Sequence, residues 1–128
     1  MEKRPLSVVY ADDDPLMRET VTRALRQAGI DMHVCADGAA ALELCAHVAP
    51  DVMLLDLNMP EMNGLQIAWE LRRNSTNPMP RLVALTGRGS LELRKKAMDA
   101  GFDEYLVKPV GTDDLIGALT NGRVAQSK

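Results

Sequence analysis

Apolar residues occur along this chain in two alternating patterns: short continuous runs, and longer stretches where they recur at helical spacing. The runs predict strands at Ser7–Ala11, Asp31–Cys35, 51–55, 81–85 and Glu104–Val107. The run at 51–55 is almost wholly apolar, as expected of a strand buried on both faces. Between the runs, Met17, Val21, Ala24, Leu25 and Ala28 share one helical face. Ala41, Leu44, Cys45 and Val48 share a second, and Leu65, Ile67, Ala68 and Leu71 a third, over about Gly64–Arg73. Leu93, Ala97 and Ala100 mark a fourth helix, and a last one starts near Thr112 and frays after Thr120.

Punctuation agrees with this phasing. Asp14 followed by Pro15 is a helix start, and Asp37 and Ser90 are further caps. Gly29 and Gly101 suit left-handed helix ends, and Pro50 stops the second helix. Asn58-Met59-Pro60-Glu61-Met62-Asn63-Gly64 is rich in turn formers. Trp69 falls off the apolar face of its helix and is expected to be partly exposed. Strict alternation of strand and helix predicts an α/β fold with a parallel sheet and helices on both faces. One domain is expected over residues 1–128, with a core of about residues 6–120 and a polar tail after 120.

Composition narrows the function. The apolar fraction of 46% is ample for a core but only 3% is aromatic, so Met and Ala must help to fill it. A net charge of -3 gives no case for direct nucleic-acid binding. No apolar stretch is long enough to span a membrane, and the N-terminus lacks the apolar core of a signal peptide. Cys35 and Cys45 are not in metal-ligand or redox-motif spacing, which predicts two buried thiols in a reducing cytoplasm. His33 and His47 lack a ligand constellation and are expected at the surface or on a strand.

The chemistry gathers at the ends of the predicted strands. Asp12, Asp13 and Asp14 follow the first run, and Asp56 follows the third. Open α/β sheets place their sites at the C-terminal ends of strands. Asp14 suffices as a cap, so Asp12 and Asp13 need another reason. Crowded carboxylates call for a hard divalent cation, and Mg²⁺ fits one or two carboxylates plus waters and a phosphoryl oxygen. Asp56 is then nucleophile or third ligand. Thr86 and Gly87 follow the fourth run, and Lys108-Pro109 the fifth. An acid cluster, a hydroxyl and an ammonium are the parts needed to make and hold an acyl phosphate.

In order and separation, Asp12-Asp13-Asp14-Pro15, Asp56-Leu57-Asn58-Met59-Pro60 with Gly64, Ala84-Leu85-Thr86-Gly87 and Lys108-Pro109 resemble the motifs of the receiver domain of two-component response regulators. The resemblance spans roughly residues 6–120. It implies a flavodoxin-like, doubly wound sheet of order 2-1-3-4-5. It implies that Asp56 accepts a phosphoryl group from a histidine kinase or phosphotransfer protein, with Mg²⁺ or Mn²⁺ required. Asp13 matches the direct metal ligand, Asp12 its partner acting through water, and Asn58 the position whose backbone carbonyl ligates the metal. Thr86 matches the switch hydroxyl, Lys108 the phosphoryl-binding ammonium, and Tyr105 an aromatic switch. The Lys108-Pro109 bond is expected to be cis.

The resemblance further implies that the state is read on the surface of helix four, strand five and helix five, by an effector protein or an attached domain. Such a domain is no free-standing enzyme, though it assists its own phosphorylation and dephosphorylation. Asn58 and Arg88 stand where side chains modulate the lifetime of the acyl phosphate, an expectation that decay of the phosphorylated Arg88→Ala variant would read. Gly87 departs from the commoner alanine, and Phe102 from the commoner small residue. A degenerate receiver that only docks partners is the nearest rival, opposed by the intact acids, Thr86 and Lys108. A flavodoxin-like phosphate-binding module is disfavoured by three negative charges after strand one, and by the absence of glycine-rich phosphate motifs. A phosphatase of the haloacid dehalogenase type would need an acid where Asn58 stands.

Overall fold

The computed structural model describes residues 4–59, 61–74, 76, 78–87 and 89–120. The predicted tail after 120 lies outside the described residues. Five strands, β1 (Ser7–Ala11), β2 (Asp31–Cys35), β3 (Val52–Asp56), β4 (Arg81–Thr86) and β5 (Glu104–Val107), form one parallel sheet of order β2-β1-β3-β4-β5. They alternate with α1 (Pro15–Gln27), α2 (Gly38–Val48), α3 (Gly64–Arg73), α4 (Leu91–Ala100) and α5 (Thr112–Thr120).

β1 and β3 are buried along their whole length and β4 from Leu82 onward, so each feeds two cores. Val8, Tyr10, Leu54, Val83 and Leu85 face one side, beneath Val21 and Leu25 of α1 and Leu115 and Leu119 of α5. Val9, Met53, Leu55 and Ala84 face the other, against Ala41 of α2, Ile67 and Leu71 of α3 and Ala97 of α4. Met32, Met53 and Met59 are buried, and Phe102 plugs the second core where larger aromatics are scarce. Four of the helix starts, those of α1 to α4, are fixed by local caps. Asp14 accepts from the Leu16 and Met17 N–H groups, Asp37 from Ala40 and Ser90 from Leu93. Asn63 and Gln66 form a reciprocal capping box at α3. Gly29 follows the C-cap Ala28 at φ 86°, and Gly101 caps α4 at φ 108°.

Two strands run one residue further than their apolar runs. Asp56 and Thr86 are the last residues of β3 and β4, not the first beyond them. The order of the sheet reverses at β1 and β3: from β1 the chain goes to β2 on one side, then to β3 on the other. A crevice therefore opens at the C-terminal ends of β1 and β3.

Candidate functional site

Asp12 is the first residue beyond β1 and is fully buried. Both its oxygens are engaged. Oδ1 accepts from the Asp14 N–H at 3.0 Å. Oδ2 accepts from the Tyr10 hydroxyl at 2.8 Å and from Lys108 Nζ at 3.2 Å. Arg18 donates to the Asp12 main-chain carbonyl at 2.7 Å and holds the turn. Asp14 is spent on capping α1, so Asp12 and Asp13 are left to the crevice, Asp13 exposed to water.

Asp56 reaches the same crevice from β3. It is buried; its Oδ1 accepts the Asn58 N–H at 2.9 Å, and its Oδ2 lies 3.4 Å from Lys108 Nζ. Carboxylate oxygens of Asp12, Asp13 and Asp56 all lie within 4.8 Å of one another. Gly64 lets α3 start close behind: a Cβ there would stand 2.7 Å from Leu57 Cδ2 and 3.1 Å from the Asp56 carbonyl.

Thr86 brings a fully buried hydroxyl from β4, which accepts from Asn58 Nδ2 at 2.9 Å. Lys108 follows β5, and its N–H donates to the Thr86 carbonyl at 2.7 Å. The Lys108–Pro109 bond is cis. Tyr105 is buried in the core beside α4, with the Arg94 guanidinium 5.9 Å from its ring centre.

The electrostatics follow from this crowding. Desolvation pushes the Asp56 carboxyl above the usual aspartate range, and Asp12 adds to it. The Asn58 N–H and Lys108 oppose both. Desolvation lowers the Lys108 ammonium, but Asp56 and Asp12 outweigh it, so Lys108 is pushed up and stays charged. Burial, then the Asp12 charge, push the Tyr10 hydroxyl far up, which keeps it a donor.

Asp12, Asp13, Asp56, Asn58, Thr86 and Lys108, named from sequence, thus stand around one crevice. Tyr105 packs beneath α4. Arg88 and Pro60 lie outside the described residues. Cys45 is buried, whereas Cys35 is only partly so, because it ends the edge strand β2. Trp69 is exposed, with Arg73 stacked over it. Sequence reasoning missed Tyr10. The signal was there: residues two apart on a strand share a face, so Tyr10 stands in line beneath Asp12.

Fold and site together define a class, a doubly wound α/β domain with a divalent-cation-type acid pocket at its switch point. The family model of the response regulator receiver domain matches residues 8–120. The chain belongs to that family, the receivers of two-component systems. It is 36% identical over 115 residues to the response regulator MprA of Mycobacterium sp. (strain KMS), covering 90% of this chain and 49% of that protein. The chain thus spans about half the length of the curated relatives it matches. The receiver domain of Francisella response regulator 1452 superposes with a TM-score of 0.84 at 30% identity, covering 96% of this chain and 99% of that one. The Vibrio cholerae chemotaxis protein CheY4 gives 0.84 at 29% identity, over 91% and 97%. Among the described residues no helix is long and apolar enough to cross a membrane.

Proposed function

We propose that this domain takes a phosphoryl group onto Asp56 from a phosphohistidine of a histidine kinase or phosphotransfer protein. The observation that carries the proposal is the placement of the Asp56 carboxylate, within 4.8 Å of two further acids and 3.4 Å from the Lys108 ammonium. A carboxylate oxygen of Asp56 attacks phosphorus, the bond to the donor nitrogen breaks, and the imidazole leaves with that electron pair. Lys108 offsets the charge on the phosphoryl oxygens, and the Thr86 hydroxyl is the donor for one of them. Asp13, Asp56 and the Asn58 carbonyl, with Asp12 acting through water, would hold Mg²⁺ or Mn²⁺. These are hard oxygen donors, with Asp13 open to the solvent that such an ion retains. When bound, the ion supplies charge neutralisation to the phosphoryl oxygens.

Thr86 already accepts a hydrogen bond from Asn58, so its move toward a phosphoryl oxygen re-sorts that pair, and Tyr105 repacks behind it. The surface of α4, β5 and α5 then changes, where an effector protein or attached domain reads the state. Amide exchange with and without beryllofluoride tests this; silence across residues 86–115 would sink it. Asn58 and Arg88 set the lifetime of the acyl phosphate. The domain acts in the cytoplasm and is no free-standing enzyme, but assists its own phosphorylation and dephosphorylation.

Incubation with acetyl phosphate and Mg²⁺, read by intact mass, tests the acceptor. One phosphate adduct is expected, absent without Mg²⁺ and absent in Asp56→Asn. The same adduct in that variant refutes the assignment, and no adduct in the native chain favours a domain that only docks partners.

A further inference from the structure

The acid pocket holds a group that the phosphoryl chemistry does not use. Tyr10 is fully buried in the core beneath α1 and α5, yet its hydroxyl ends 2.8 Å from Asp12 Oδ2. That oxygen also receives Lys108, and its partner oxygen receives the Asp14 N–H. We infer that the Tyr10 hydroxyl competes with the divalent cation for Asp12, so that it stabilises the metal-free site and tempers the affinity for Mg²⁺. The inference rests on the reading of Asp12, Asp13 and Asp56 as the metal site.

The physical reason is the burial of Asp12. A carboxylate with no access to solvent must have its charge met by the protein, and a hydroxyl bonded to a full anion is among the stronger hydrogen bonds. Before metal arrives, Tyr10 and Lys108 meet that charge together. Once a divalent cation draws electron density from Asp12, directly or through a bound water, Asp12 becomes a weaker acceptor and the Tyr10 bond loses part of its strength. The hydroxyl therefore stabilises the metal-free state more than the loaded one. Phenylalanine fills the same space, so the ring's packing is retained while the competition is removed. Tyr10 is a positioning residue: its hydroxyl acts through Asp12.

Calorimetric titration of the full chain with Mg²⁺ alone, beside thermal melts with and without the ion, tests this. Tyr10→Phe should melt lower than the native chain without metal, yet bind Mg²⁺ roughly three- to tenfold more tightly, part of the worth of a charged hydrogen bond. A ring that serves packing alone would lower the melt and leave the affinity untouched. In an Asp12→Asn background, Tyr10→Phe should no longer change the affinity. Equal or weaker Mg²⁺ binding by Tyr10→Phe overturns the inference while leaving the metal site standing. Absence of Mg²⁺ binding by the native chain overturns both.

Discussion

The two ends of the sheet use the same residue types in opposite ways. At the N-terminal end, acids are clips. Asp51, just before β3, accepts from the Ser7 N–H at 2.8 Å and from both terminal nitrogens of Arg4. Asp103, just before β5, accepts from the Leu82 N–H at 2.8 Å and returns its own N–H to the Leu82 carbonyl. Each carboxylate there closes a strand entry by accepting a backbone N–H. At the C-terminal end, Asp12 and Asp56 are both buried, face one another, and share Lys108 as their ion-pair partner. A fold gains nothing in stability from that arrangement, since desolvation and mutual repulsion both oppose it. Carboxylates that satisfy the backbone mark architecture, and carboxylates gathered at the expense of stability mark chemistry.

The sharpest way to break this contrast is to neutralise one acid at each end. Asp56→Asn should abolish the phosphate adduct and raise the metal-free stability by about 1 kcal/mol. The sign follows from its raised pKa: the fold favours protonated Asp56, so the penalty is absent below the ordinary value of 3.8 and full above the folded value. Asp51→Ala should do the reverse, keeping the adduct while losing about 1–2 kcal/mol as the Ser7 N–H and Arg4 lose their acceptor. Urea unfolding of both variants, with mass spectra of the adducts, reads the outcome. Two losses of stability would erase the distinction between the ends.

Position at the C-terminal end is not by itself chemistry, and Cys35 sharpens that point. It ends β2, and its carbonyl receives the Asp12 N–H at 3.2 Å. Burial pushes its thiol up to about 11 from 9.0, partly opposed by a hydrogen bond to the Asp37 backbone. Below pH 9 its thiolate fraction is therefore roughly a hundredfold smaller than that of a free thiol. Alkylation of the native chain at pH 8 should be slowed at Cys35 by about that factor, and recover as pH approaches 11. Because the fold favours the neutral thiol, Cys35 should also cost stability as pH rises from 9 to 11, a decline that Cys35→Ser removes. Fast alkylation at pH 8 would mark Cys35 as a reactive member of the site.

Much of this was legible from the pattern of apolar residues. All ten elements were, because β1 and β3 are short apolar runs, and α1, α2 and α4 start at caps that the sequence names. The partial exposure of Trp69 followed from helical phase alone. The acids, hydroxyl and ammonium were legible because they punctuate those runs. What was not legible depends on the third dimension. Asp56 and Thr86 read as strand exits because polar residues break an apolar run, but paired neighbours carry both strands through them. The Asn58–Thr86 hydrogen bond joins residues 28 apart, which only the adjacency of β3 and β4 brings together. Tyr10 was hidden inside an apolar run, where a tyrosine looks like one more core residue. Cys35 passed for buried although polar Asp31 and His33 in its strand, and an implied sheet order that ends at β2, both mark an edge.

The smallest effect tests whether the C-terminal end gives up stability in its backbone as well as in its charges. Gly87 follows β4 directly after Thr86, and a Cβ built there meets nothing within 4 Å. Its φ lies outside the left-handed region, so alanine can adopt its backbone conformation without strain. Under those conditions Gly→Ala stabilises by about 0.4–1 kcal/mol, chiefly by narrowing the unfolded ensemble. The same narrowing applies locally to the loop through which, on the proposed function, Thr86 travels toward the phosphoryl group. Gly87→Ala should therefore shift the urea midpoint upward by that amount without altering the denaturant slope. If the loop's freedom serves the switch, exchange changes on beryllofluoride addition should shrink across residues 86–115 in the variant. A stabilised variant with an undiminished response would place the glycine with the architecture and confine the end's lost stability to its charges.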